Sequence, residues 1–135
     1  MATESFNERQ KAFLAYPRYG IVSTINADGS PQATIVWFMR DGDDLVFTVE
    51  AESLKSRNMR RDPRIVMAIA DGGRFVSAKG SVELDERPEA GAEWLLRIAK
   101  RYYGEEEGTN QFNSFNQKPS IAVRLKVEKV LSVSV

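Results

Sequence analysis

The chain has 135 residues, 42% hydrophobic and 28% charged, with 19 basic against 19 acidic side chains and so no net charge. This composition suits a single globular domain over residues 1–135 and argues against a nucleic-acid binder, which needs a basic surface. Cysteine and histidine are both absent, which excludes disulfides, the common zinc sites, ordinary haem ligation through His, and Ser-His or Cys-His nucleophile pairs.

In chain order, residues 6–16 place Phe6, Phe13, Leu14 and Tyr16 at broadly helical spacing, and Pro17 stops the run. The charged N-terminal stretch carries no apolar segment of signal-peptide type, and no run in the chain approaches the ~20 apolar residues of a membrane span. The expectation is a cytoplasmic protein. Two strand-like runs then flank "NADGSP", and a third follows "RDGDD", which predicts a three-stranded antiparallel meander. Its middle strand projects Ala33, Ile35, Trp37 and Met39 to one side and Thr34, Val36 and Phe38 to the other. A strand apolar on both sides is expected to be covered on both.

Residues 53–62 read as a short helix with Ser53 as N-cap and Pro63 just beyond its end. "RIVMAIA" and "RFVSAKGSVEL" follow as strands across "DGG". Pro88 opens an amphipathic helix that carries Trp94, Leu95, Ile98 and Tyr102 near one stripe and ends at Gly104. "EEEGTNQFNSFNQK" is expected to be a polar loop. The final strand alternates Ile121, Val123, Leu125 and Val127 inward with Arg124, Lys126 and Glu128 outward. These elements predict a mainly β (α+β) fold, a six-stranded antiparallel split β-barrel with peripheral helices. A barrel this small is filled by side chains, so a sizeable ligand must bind outside it, with a dimer cleft the obvious place.

The segment "SLKSRNMRRDPR" concentrates Lys55, Arg57, Arg60, Arg61 and Arg64 in an otherwise neutral chain. A helix N-terminus beside an ammonium and an amide is a ready phosphate site. Taken alone, such a run is more commonly a solvated face paired with nearby carboxylates.

The combination "GIVSTINADGSP", "IVWFMRDGDD", "LVFTVE", "LKSRNMRRDPR" and "AKGSVEL" resembles the pyridoxamine 5'-phosphate oxidase-like split β-barrel superfamily. Within it the chain looks most similar to the deazaflavin (coenzyme F420)-dependent reductases, the flavin/deazaflavin oxidoreductases of the B group. The match runs from about residue 20 to residue 84. It implies a homodimer with cofactor sites at the subunit interface and a small-molecule substrate, while charge, hydropathy and the lack of His and Cys lead to the expectation that no nucleic acid, membrane or metal is involved. It implies that Lys55 and Asn58 hold the cofactor phosphate, with Ser53 at the entrance of the helix and Arg57 in reserve. It further implies that Ile35, Val36, Trp37 and Phe38 lie along the ring, mainly through backbone groups. The run Ser53-Leu54-Lys55 lacks the Arg found there in F420-binding and in flavin-binding relatives. No His near the C-terminus matches the substrate-binding residue of the true oxidases, and "KVLSVSV" lacks their Arg-Leu-x-Pro ending. The implied activity is F420-dependent hydride transfer to an electron-poor double bond. An FMN-binding oxidase or reductase, or a non-catalytic cofactor-binding protein, stands as the alternative.

Overall fold

An Asp-Gly turn makes the first reversal of the chain. Gly29 takes φ 86°, a conformation a side chain rarely adopts, and its N–H donates to the Asn26 carbonyl at 2.9 Å. The turn joins β1 (Gly20–Ile25) to β2 (Pro31–Val36) in the computed structural model, which describes residues 4–135. The first three residues, part of the charged N-terminal stretch considered above, lie outside the described residues.

The expected middle strand of the meander is two strands. β2 pairs with β1, whereas β3 (Phe38–Asp41) pairs with β4 (Asp44–Glu50), and Trp37 belongs to neither. With β5 (Arg64–Asp71), β6 (Arg74–Asp85) and β7 (Ser120–Val133), the sheet has seven strands in the order β2-β1-β5-β6-β7-β4-β3. Thus β2 and β3, adjacent in sequence, form the two opposite edges of the sheet. The chain at Trp37 bridges them where a closed barrel would have a ladder. The split barrel expected from the sequence is present, with seven strands rather than six.

The sheet wraps a core in which Phe38, Phe47, Leu45, Met67, Ile69 and Leu125 are fully buried. Each such side chain stabilises the fold by roughly 1.5–3 kcal/mol relative to exposure. Ile121, Val123, Leu125 and Val127 of β7 point inward as the alternation predicts. β6 and β7 pair along most of their length, with a register shift at Lys79/Gly80. A Cβ on Gly80 would collide with the Lys126 carbonyl, so only glycine fits that bulge.

Helices pack against the sheet. α1 (Glu8–Ala15) begins in a capping box between Asn7 and Gln10 and buries Phe13 and Leu14, while Tyr16 falls outside it and is largely exposed. α2 (Leu54–Arg61) starts at the predicted Ser53 cap. α3 (Pro88–Tyr103) matches its expected limits and buries Leu95, Ile98 and Ala99. The segment expected to be a polar loop is instead a helix, α4 (Glu105–Phe115). Its glutamates Glu105, Glu106 and Glu107 lie at the positive end of its dipole, and Lys100 pairs with Glu105 at 3.1 Å. Gly108 lets α4 pack directly on the backbone of α3 at Lys100.

Two ion pairs beside the helix ends make stability depend on acid. Hydrogen bonds from Arg64 hold the Asp62 carboxyl at about 2, and hydrogen bonds from Arg87 do the same for Asp85, against an ordinary value of 3.8. Folded values below unfolded ones stabilise above the ordinary value and are lost as pH falls through about 2. Thermal melts between pH about 5 and about 2 are therefore expected to fall more steeply for the wild type than for the Asp62→Asn, Asp85→Asn variant. Both carboxylates sit at the surface, so the difference is small and shrinks with added salt.

Candidate functional site at the strand switch

α2 is held in place by its own polar residues. Ser53 Oγ accepts from the Ser56 N–H at 3.2 Å and donates to the Glu50 carbonyl at 2.8 Å. Asn58 is fully buried beneath the helix. Its amide donates to Thr24 Oγ1 at 3.0 Å and Asn26 Oδ1 at 2.9 Å, and its oxygen accepts from Arg61 Nη2 at 2.7 Å. The pattern leaves Asn58 no exposed group for a ligand. It ties α2 to the β1–β2 hairpin.

The arginines of the basic segment are committed as well. Arg61 donates to the Ile25 carbonyl at 2.8 Å, and Arg60 reaches Glu86 through Nε at 3.1 Å and Nη2 at 2.7 Å. Arg64 pairs with Asp62, and Arg57 turns back to the Glu52 carbonyl at 3.0 Å. Among the described residues, Lys55 alone of these cations makes neither an ion pair nor a hydrogen bond. It sits in the first turn of α2, where backbone N–H groups lack helical acceptors and the dipole favours an anion.

Lys55 opens onto a cleft of about 440 Å³. Ile35, Val36 and Trp37 line it from the strand switch, Thr48 and Glu50 from β4, Ser53 and Lys55 from α2, and Leu95 and Ile98 from α3. The switch itself is braced by α3. Tyr102 Oη donates to the Arg18 carbonyl at 2.6 Å and accepts from the Phe38 N–H at 3.1 Å. Burial pushes the Tyr102 hydroxyl upward, which keeps it a proton donor to Arg18. Its ring stacks between Tyr19 and Trp37, at centroid distances of 5.9 and 5.6 Å. Arg101 Nε donates to the Phe38 carbonyl at 2.9 Å, and its other nitrogens reach the carbonyls of Leu14 and Ala15 at 2.8 and 3.0 Å.

The structure thus brings Ile35, Val36, Trp37, Ser53 and Lys55 together and leaves Phe38, Arg57 and Asn58 elsewhere. Phe38 is fully buried core, and Arg57 lies exposed on the outer side of α2. Sequence reasoning missed Tyr102 and Arg101 as the braces of the switch. The stripe on α3 pointed to Tyr102 as a packing residue, but nothing local announced its bonds to Arg18 and Phe38.

A free cation at a helix N-terminus, an aromatic wall and a strand end with no ladder partner suit a flat ligand bearing an anionic group. Residues 6–134 match the family model described as pyridoxamine 5'-phosphate oxidase. The chain belongs to this family. Within reach of this pyridoxamine 5'-phosphate oxidase family member is an F420H(2)-dependent biliverdin reductase of Mycobacterium tuberculosis (strain CDC 1551 / Oshkosh). The two are 28% identical over 102 residues, 74% of either chain. A conserved hypothetical protein from Mycobacterium tuberculosis superposes with TM-score 0.80 at 28% identity, covering 98% of this chain and 87% of that one. An F420 reductase shares the fold with TM-score 0.75 at 24% identity, covering 93% of this chain and 98% of that one. Among the described residues, no helix is long and apolar enough to cross a membrane.

Proposed function

We propose that the chain is an oxidoreductase that binds coenzyme F420 and transfers hydride to a small unsaturated organic substrate. The observation that carries this reading is Lys55, unpaired among the described residues, at the start of α2 and in the same cleft as the Ile35–Trp37 strand end. The similarity to an F420H(2)-dependent reductase supports F420 over other cofactors. When bound, the reduced deazaflavin supplies the hydride, so no protein nucleophile is required of a chain without Cys or His. Lys55 and the N–H groups of Leu54 and Lys55 bind the phosphate. The strand end orients the ring, and Leu95 and Ile98 keep water from that side of the cleft. Asn58 serves the site through α2, which it anchors from below.

The reading is tested by titrating purified protein with F420 and FMN separately and then assaying hydride transfer. F420 is expected to bind at or below tens of micromolar, at roughly −6 kcal/mol or better, and more tightly than FMN. Tighter FMN binding would move the chain to the flavin-dependent members of its family. Tight F420 binding with no turnover on a broad acceptor panel would make it a cofactor carrier.

In this reading the active form is a cytoplasmic homodimer. Ile35, Ile21, Ala68, Ser77 and Leu131 lie in one cross-strand row over five strands. Ile35, Ile21 and Leu131 are 69%, 46% and 60% exposed, so one face of the doubly apolar β2 is uncovered within the chain. Ile35 belongs both to this face and to the cleft, so a second copy seated there would complete the site. Light scattering after size exclusion is expected to show a dimer for the wild type and a monomer for Ile21→Asp. A wild type that stays monomeric at about 50 μM would contradict the dimer.

A further inference from the structure

Lys55 shares its cleft with one other charged residue, Glu50 at the end of β4. The residues that line the cleft from the strand switch and from α3 carry no charge. Strand alternation sets Glu50 on the face of Thr48, opposite the core side chains Phe47 and Val49. Thr48 lines the cleft too, so the Glu50 side chain projects toward it. The Glu50 backbone is fixed, because its carbonyl accepts from the Ser53 N–H at 3.1 Å and from Ser53 Oγ at 2.8 Å. Its carboxylate makes neither an ion pair nor a hydrogen bond among the described residues, and its cross-strand neighbour on β7 is the uncharged Ser120. Glu86 and Asp62, by contrast, are taken up by Arg60 and Arg64. A carboxylate without a partner therefore stands in the same cleft as a lysine without one.

Such a carboxylate repels every anion at the site, and it repels a doubly charged one twice as strongly. Lys55 offers a full positive charge and the N-terminus of α2 about half of another. With Glu50 counted, only a small positive excess is left to offset the cost of taking an anion out of water. That cost rises steeply with charge, so a single negative charge is accommodated far better than two. A phosphodiester carries one charge, whereas a phosphate monoester carries nearly two above its second pKa of about 6. F420 holds its phosphate as a diester and FMN as a monoester. We infer that Glu50 is a specificity-determining residue that selects the cofactor by phosphate charge, admitting a diester and disfavouring a monoester. This selection rests on the proposed function only in placing the cofactor phosphate at Lys55. It works through a charge set against the wrong ligand, with no added contact to the right one.

The matched probes are FMN and its phosphate methyl ester, which share ring and side chain and differ in phosphate charge. At pH about 8 the wild type is expected to bind the methyl ester about fivefold more tightly than FMN. Glu50→Gln keeps the shape of an exposed side chain that has no partner to lose, so its melting should match the wild type. It is expected to tighten FMN about tenfold and the methyl ester only about threefold, because the effect scales with ligand charge. At pH about 5 both probes carry one charge, and the wild-type preference should fall below about twofold. Equal gains for the two probes in Glu50→Gln, or a preference that persists at pH about 5, would assign the discrimination to shape and overturn the inference. A wild type that prefers FMN, or that binds neither probe, would overturn it as well. Charge-dependent selection that is lost in Glu50→Gln, in a protein that fails to bind F420, would uphold the role of Glu50 while removing the F420 reading. F420 binding with probe affinities indifferent to Glu50→Gln would leave that reading standing and overturn the selection.

Discussion

Arg101→Ala is expected to destabilise the protein by about 3 kcal/mol, lowering Tm by roughly 10 °C in a chain of this size. The guanidinium joins three elements that no ladder connects. It donates to the Phe38 carbonyl at the start of β3 and to the Leu14, Ala15 and Tyr16 carbonyls at the end of α1, from a position in the last turn of α3. These α1 carbonyls lie at the negative end of the helix and have no later turn to bond. Charge-assisted hydrogen bonds contribute about 1.5–3 kcal/mol each, but bonds that share one side chain do not add, so the total stays near the value of one or two. The guanidinium also lies over the Phe38 ring at 5.4 Å, and its removal opens space beside the core. Arg101→Lys should recover only part of the loss, because an ammonium cannot reach carbonyls on two elements in a fork. Urea melts of the three proteins measure this directly. A loss for Arg101→Ala below about 0.5 kcal/mol would show that the strand switch is held by Tyr102 and packing alone.

The same region shows where the sequence was legible and where it was not. Local signals located Ser53 at the start of α2, Pro88 at the start of α3 and the inward face of β7, because capping, proline geometry and strand alternation act over a few residues. The run from Pro31 to Asp41 looked like one strand because β-propensity is continuous through it. The break at Trp37 depends on the chain passing from one sheet edge to the other, a choice made by distant partners, Gly20–Ile25 on one side and Asp44–Glu50 on the other. α4 was hidden by its polarity. Its stability comes from glutamates at its N-terminus and from Gly108 against α3, neither of which leaves a hydrophobic period. Within the basic segment, residue type alone could not separate Lys55 from Asn58. Only the fold shows the amide spent on Thr24 and Asn26 while the lysine opens onto the cleft.

Lys55→Ala is expected to weaken cofactor binding by about 1–3 kcal/mol, a rise in Kd of roughly fivefold to 150-fold. The lysine makes no bond within the described residues that its removal would break, so folding should be little affected and the loss should appear in binding alone. Arg60→Ala is the matched control, since it removes a cation from the same helix that is already bonded to Glu86. The phosphate is expected to feel Lys55 at contact distance and Arg60 only through screened solvent. The decisive measurement is therefore the F420 dissociation constant of wild type, Lys55→Ala and Arg60→Ala at one ionic strength. The account predicts a large rise for Lys55→Ala and a change under about twofold for Arg60→Ala. Equal affinities for wild type and Lys55→Ala would contradict it.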